Sequence, residues 1–210
     1  MSKKIIKKNA IIQAAIEVFS KNGFQNSTIS EIATKANVAE GTIYQYFKNK
    51  EDLFFSIPVE KTKEFCKELE LHLQGINGAS DKIRKFVWYY LYFFKTNPDY
   101  SRTLMLEMRV SKNFVKTNSY KSLKPFTNRI LEIIKEGQKE GIIRKDVNIY
   151  IIRQLILGTL EHMVTRWLIK AEKYDLMEYY NEVNKLVFEG ISSSKGALKS
   201  QCPFLEIRGT

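Results

Sequence analysis

Apolar residues recur along this chain at helical spacing, and strand-like alternation is hard to find. Ile11, Ile12, Ala15, Ile16 and Phe19 share one face of a first helix, which Asn22-Gly23 should stop. A second helix opens at Thr28-Ile29-Ser30-Glu31, where Thr28 and Glu31 stand at capping-box spacing. It buries Ile29, Ile32, Ala33 and Ala36 and ends near Asn37. A third, short helix is expected over 39–47. A fourth starts behind Asn49 as N-cap, with Glu51 and Asp52 in a first turn that suits the helix dipole. Pro58 should kink that helix or mark a junction.

Beyond the loop at 75–80, the periodicity predicts helices over 81–96, 98–110, 125–139, 146–171 and 175–191, with weak periodicity over 111–124. The Ser/Lys/Gly-rich start of the segment from Ser192 predicts a disordered tail. The expected architecture is therefore all-α, with about nine helices. A three-helix head at 1–50 precedes a helical body at 51–191 and a tail at 192–210.

Charge narrows the partners. The 210 residues carry 34 Lys+Arg against 23 Asp+Glu, a net +11, which favours a polyanion without saying which one. Residues 1–50 hold eight lysines and three glutamates, nearly half of the excess in under a quarter of the chain. Lysine neutralises phosphate and releases counterions, so the head is the place to look for nucleic-acid binding. The alternative is a solvated face, or a membrane-surface or structural helical protein using a basic end.

The third helix favours DNA. In Glu40-Gly41-Thr42-Ile43-Tyr44-Gln45-Tyr46-Phe47, Ile43 and Phe47 are four apart and should face the core. Gly41, Thr42, Gln45 and Tyr46 then point outward, small or hydrogen-bonding, as a helix in a major groove requires. Gln45 suits an adenine edge. Thr42 and Tyr46 suit phosphate, and Lys50 with the free N–H groups opening the fourth helix suits another.

The run Thr28-Ile29-x-x-Ile32-Ala33-x-x-Ala36-x-Val38-x-x-Gly41-Thr42-Ile43-Tyr44-x-Tyr46-Phe47-x-x-Lys50-x-x-Leu53 resembles the DNA-binding domain of TetR-family transcriptional regulators. So does Ala14-Ala15-x-x-Val18-Phe19-x-x-x-Gly23-Phe24 before it, and the match covers about residues 8–55. Tyr46 stands where the family often has His. The resemblance implies a homodimer with a DNA-reading head and a ligand-binding, dimerising body. Candidate DNA contacts are Thr28, Ser30, Ala39, Glu40, Gly41, Thr42, Tyr44, Gln45, Tyr46, Lys48 and Lys50.

The body is similar to one subgroup, the acyl-CoA-responsive repressors of fatty-acid degradation. The residues are Glu107-Met108-Arg109, then Ile130-Leu131-x-x-Ile134-x-Glu136-Gly137-x-x-x-Gly141-Ile142-Ile143-Arg144-x-Asp146-Val147, Arg153-Gln154-x-Ile156-x-Gly158-Thr159, Trp167 and Lys173-Tyr174-Asp175-Leu176. It implies release from a palindromic operator by a long-chain acyl-CoA and control of fatty-acid metabolism genes. The residues are compatible. Trp88, Tyr89, Tyr92 and Phe93 share one helix, Leu104, Met105 and Met108 the next, Phe126 and Ile130 another, and His162, Met163 and Trp167 the long one. Such side chains line an apolar tunnel adaptably. Arg109 belongs to a cluster with Arg102, Lys112, Lys116, Lys121 and Lys124 that suits phosphates, with Glu107 the one acid among them. The same stripes would equally serve a packed core. The rival regulator is a multidrug or aromatic-ligand sensor controlling an efflux system.

Ile149, Ile152, Leu155, Ile156, Thr159 and Leu160, with Val183, Leu186, Val187 and Ile191, are more apolar than a small body needs. They suggest a four-helix dimer interface in which Gly158 and Thr159 allow close approach. No nucleophile elbow, P-loop, zinc-protease or dinucleotide motif is present, so an enzyme is not expected, nor a metal or cofactor beyond a small apolar effector. His162 reads as an interior or interface histidine, and Lys63 and Lys67 beside Cys66 would lower its pKa. Cys66 and Cys202 make no disulfide scaffold, and no apolar run approaches the ~20 residues of a membrane span. A cytoplasmic protein with no membrane partner is expected.

Overall fold

A computed structural model describes residues 3–193. The tail beyond Ser193 lies outside the described residues, Cys202 with it. Helices α1 (Lys3–Asn26), α2 (Ile29–Lys35) and α3 (Glu40–Tyr44) form the head. α1 buries Ile11, Ile12, Ala15, Ile16 and Phe19 and is interrupted at Gly23, whose φ of 75° favours glycine. The capping box of α2 is present: the Thr28 hydroxyl accepts from the Glu31 N–H at 3.1 Å, and the Glu31 carboxylate accepts from the Thr28 N–H at 2.8 Å. α3 stops at Tyr44, three residues before its expected end, because Ala39 supplies no side-chain cap and Gly41 weakens so short a helix.

α4 (Lys50–Leu73) leads from head to body. The chain stays in one helix across Pro58, so the expected junction is not a break. Proline in a helix interior costs about 3 kcal/mol. Burial of Leu53, Ile57 and Leu69, all with no exposed surface, offsets that here.

The body is built around α5 (Ala79–Thr96), which buries Ile83, Phe86, Val87, Tyr90, Leu91, Phe93 and Phe94. Packed on it are α4, α6 (Pro98–Arg102), α8 (Lys124–Lys139), α9 (Ile149–Ile169) and α10 (Tyr180–Ile191). The expected helix over 98–110 changes character at Thr103. A π-helical segment, Thr103–Met108, carries it on, and the Arg109 N–H bonds back five residues to the Leu104 carbonyl at 3.0 Å. The stretch of weak periodicity folds into a 3₁₀ turn at Phe114–Lys116 and the short α7 (Asn118–Ser122).

α8 and the loop after it approach closely at Gly137, where a Cβ would lie 2.6 Å from Cδ1 of the buried Ile143. Ile143 pairs with Ser192 across an isolated antiparallel bridge, and the Ser193 N–H reaches the Ile142 carbonyl at 2.9 Å. The first two residues assigned to the tail are thus tied to the body by backbone bonds. Among the described residues no helix is long and apolar enough to cross a membrane.

Candidate DNA interface and effector cavity

Ile43 and Phe47 are buried, as their spacing requires, and this turns the rest of α3 outward. Gly41, Tyr44 and Gln45 are exposed and Thr42 half-exposed, flanked by exposed Ala39, Glu40 and Lys48. Thr28 and Ser30 are exposed at the start of α2, beside a shallow recess lined by Lys21, Asn22, Thr34 and Lys35. Thr28 spends its hydroxyl on the cap. Tyr46 is only half-exposed, since its ring rests against the core beside Phe47.

Lys50 departs from its expected role. Its ammonium donates to the carbonyls of Phe24 at 2.8 Å, Gln25 at 3.2 Å and Ser27 at 2.7 Å, and lies 4.7 Å from the centre of the Phe24 ring. An ammonium has three N–H donors, and all three are engaged within the head. Lys50 therefore clamps the turn between α1 and α2 instead of facing phosphate. The carbonyls of Phe24 and Gln25 belong to the last turn of α1, beyond the interruption at Gly23, where no further turn donates to them.

In the body, a cavity of about 500 Å³ opens between α4, α5, the π segment, α7, α8 and α9. Phe65, Tyr90, Phe93, Phe94, Tyr100, Leu104, Met105, Leu123 and Phe126 supply its apolar wall. Lys61, Arg109, Lys124 and Arg153 bring four positive charges against the single carboxylate of Glu161. Arg109 Nη1 and Glu161 Oε1 form an ion pair of 2.6 Å on this lining. Burial works against the charge on Arg109, and the Glu161 carboxylate more than offsets it, so the guanidinium stays protonated. Burial also pushes the Tyr90 and Tyr100 hydroxyls well above their ordinary range, which keeps both available as donors.

Of the side chains expected here, Phe93, Leu104, Met105, Arg109 and Phe126 line the cavity. The others do not. Tyr89 is buried between α4 and α5 against Phe65 and His72, while Trp88 and Tyr92 stack on each other at 4.9 Å on the outer face of α5. Met108 and Ile130 are wholly buried in the core. Trp167 donates its indole N–H to the Tyr174 carbonyl at 2.9 Å and so fixes the chain after α9. Met163 is half-buried outside the lining, and His162 is exposed, not interior. On the cavity face of α5, Tyr90, Phe93 and Phe94 stand at i, i+3, i+4, one position along from Tyr89, Tyr92 and Phe93.

Among the other basic candidates, Arg102 is paired with Glu172, and Lys112, Lys116 and Lys121 are exposed away from the lining. Cys66 also departs from expectation, since burial pushes its thiol up instead of Lys63 and Lys67 drawing it down. The face offered for dimer contact is narrower than the apolar pattern. Ile152, Ile156, Leu160, Val183, Val187 and Ile191 are buried in this chain's own core, leaving Ile151, Leu155, Gly158 and Leu186 exposed.

The π segment has two sides. Leu104 and Met105 face the cavity, and the Glu107 carboxylate accepts the N–H of Phe24 in the head at 3.4 Å. One turn earlier, Ser20 donates to Asp99 at 2.8 Å. The cavity wall and the head are thus in contact through residues 99–107.

Residues 11–57 match the profile of bacterial regulatory proteins of the tetR family, and residues 59–190 that of the C-terminal region of YsiA-like proteins. The fatty acid metabolism regulator protein of Bacillus subtilis is 34% identical over 191 residues, 91% of this chain and 98% of that one. Two solved structures are similar. The fatty acid degradation regulator FadR of Bacillus halodurans superposes with a TM-score of 0.83 at 31% identity, over 88% of this chain and 95% of that one. FadR of Bacillus subtilis in complex with stearoyl-CoA superposes with a TM-score of 0.82 at 34% identity, over 87% and 98%.

Proposed function

Because this chain belongs to the TetR family of bacterial regulatory proteins, it is a transcriptional regulator and not an enzyme, and we propose that it is a homodimeric repressor released from its operator by a long-chain acyl-CoA. The genes it controls are those of fatty-acid metabolism, by analogy with its Bacillus relatives.

The cavity carries this reading. About 500 Å³ enclosed by aromatic and aliphatic side chains suits an acyl chain. Lys124 and Arg153 on the lining suit the phosphates of coenzyme A, and the four cations facing one carboxylate repel the cationic drugs that an efflux regulator would sense. The stearoyl-CoA bound by a relative that superposes over most of the chain supports the same assignment.

Exposed Ile151, Leu155 and Leu186, with Gly158 permitting close approach, favour a dimer through α9 and α10. A two-fold dimer presents α3 to two successive major grooves about 34 Å apart, so the operator is a near-palindrome. Gln45 reads a base edge, and Thr42, Tyr44 and Lys48 meet the backbone. An effector shifts this equilibrium only by binding the DNA-incompetent form more tightly.

Fluorescence anisotropy of the protein on its own upstream DNA tests the reading. Stearoyl-CoA should release the DNA, while free coenzyme A and a cationic dye should not. Release by the dye with stearoyl-CoA inert would overturn the acyl-CoA assignment and leave a drug sensor.

A further inference from the structure

The cavity holds one acid among four bases, and that acid is committed to one base. Arg109 closes the π segment on one wall and Glu161 projects from α9 on another, and they meet at 2.6 Å with both side chains still partly accessible. An unpaired Arg109 would be the natural seat for a fatty-acid carboxylate, since a guanidinium matches a carboxylate in shape and charge. In this chain Glu161 already fills that seat. We propose, resting on the acyl-CoA assignment above, that the Arg109–Glu161 pair is the specificity device of the cavity, admitting the neutral acyl thioester and rejecting the free fatty acid.

The physical basis is the cost of a second carboxylate. A fatty-acid carboxylate reaching Arg109 must either displace Glu161, leaving it half-buried without its cation, or settle beside it as a like charge. Both routes weaken binding. A thioester carbonyl is uncharged and needs only one donor. The guanidinium offers five N–H groups and its shortest contact with Glu161 is made by Nη1, so Arg109 has donors left for the carbonyl without releasing its partner. The hydroxyls of Tyr90 and Tyr100, held protonated, add donors of the same kind.

The negative charge of the ligand is then met elsewhere. Lys124 is exposed and Arg153 half-exposed on the same lining, which suits phosphates a coenzyme arm away from the acyl group. Lys61 is not available for this, because it is engaged with Glu64 at 2.8 Å and Asn97 at 3.0 Å. The cavity thus discriminates by where charge sits on the ligand, and the chain itself can be the same in both cases.

Calorimetric titration of the full-length protein with stearoyl-CoA, with stearate and with the phosphate-free thioester S-stearoyl-N-acetylcysteamine tests this. Stearate should bind the unaltered protein at least about tenfold more weakly than either thioester. Glu161→Gln keeps the shape and removes the charge, and it should gain about tenfold or more in affinity for stearate relative to stearoyl-CoA. Arg109→Gln added to that variant should abolish the gain. Stearate binding as tight as the thioesters in the unaltered protein would overturn the proposal even if the variants fail to fold. So would a folded Glu161→Gln protein whose preference for stearoyl-CoA over stearate is as large as that of the unaltered protein. Failure of the unaltered protein to bind stearoyl-CoA at all would instead remove the acyl-CoA assignment, and this proposal with it.

Discussion

Glu107, on the π segment that walls the cavity, accepts the backbone N–H of Phe24 in the head at 3.4 Å, and its carboxylate also lies against the face of Gly23. Two residues of that segment, Leu104 and Met105, face the cavity, so a ligand pressing on them acts on the element that grips the head.

Replacing Glu107 by Ala should therefore separate binding from response. A hydrogen bond to a charged group contributes roughly 1.5–3 kcal/mol, and the length of this one places it near the bottom of that range. Effector affinity in calorimetry should stay as it was, while the effector concentration needed to release operator DNA rises several-fold. Unchanged release would show that the head responds through α4 or the Ser20–Asp99 contact instead.

The clamp at Lys50 and the exposed Lys48 make a controlled comparison. Lys50→Met leaves three carbonyls without their cation and should lower the stability of the head by about 1–3 kcal/mol in chemical denaturation. It should leave the slope of log affinity against log salt unaltered. Lys48→Ala should do the reverse, with stability unmoved and the salt slope smaller by about 1. A reduced slope for Lys50→Met at intact folding would restore the phosphate role that its sequence position suggests.

Leu186 is 68% exposed on α10 and Leu155 is 45% exposed on α9, where Gly190 brings the two helices together. Leu186→Glu should yield a folded monomer in sedimentation, with operator affinity down by about a hundredfold or more as the second half-site is lost. A variant that stays dimeric would move the interface off α10.

Acid should weaken the body through His72. Burial, and then the nearby Lys85, hold its pKa below the ordinary 6.5. As pH falls through 6.5 the unfolded chain takes up the proton first, so stability drops until the folded His72 also titrates. Thermal melts between pH 7 and pH 5 should show this decline, and His72→Gln should flatten it.

The head was largely legible in the sequence because its elements are set locally. The Thr28–Glu31 box, the Ile43–Phe47 spacing and the Asn49 cap are each fixed within a few residues. The carbonyl contacts of Lys50 were not legible, because an ammonium that binds phosphate and one that binds carbonyls look identical until the Gly23 turn is placed beside it. The cavity was harder. Eight aromatic or aliphatic residues from 87 to 94 give α5 no strongly polar side, so periodicity could not tell the cavity side (Tyr90, Phe93 and Phe94) from the outer pair (Trp88 and Tyr92). On α9 the partner of Arg109 was not legible, because Arg109 and Glu161 are far apart in the sequence and come from different walls of the cavity. The π segment has no sequence signal of its own, since Thr103–Met108 has the composition of an ordinary buried helix.

Phe93, Phe94, Tyr100 and Phe126 line the cavity, and three of them are also members of the buried core. Whatever fills that space stabilises the folded chain by mass action, adding RT ln(1 + [L]/Kd) to its resistance to unfolding. Occupancy then governs lifetime as well as location. Copies that have taken up ligand would outlast empty ones in the presence of proteases, so the pool of unbound regulator would keep a record of recent ligand abundance after the ligand itself has declined.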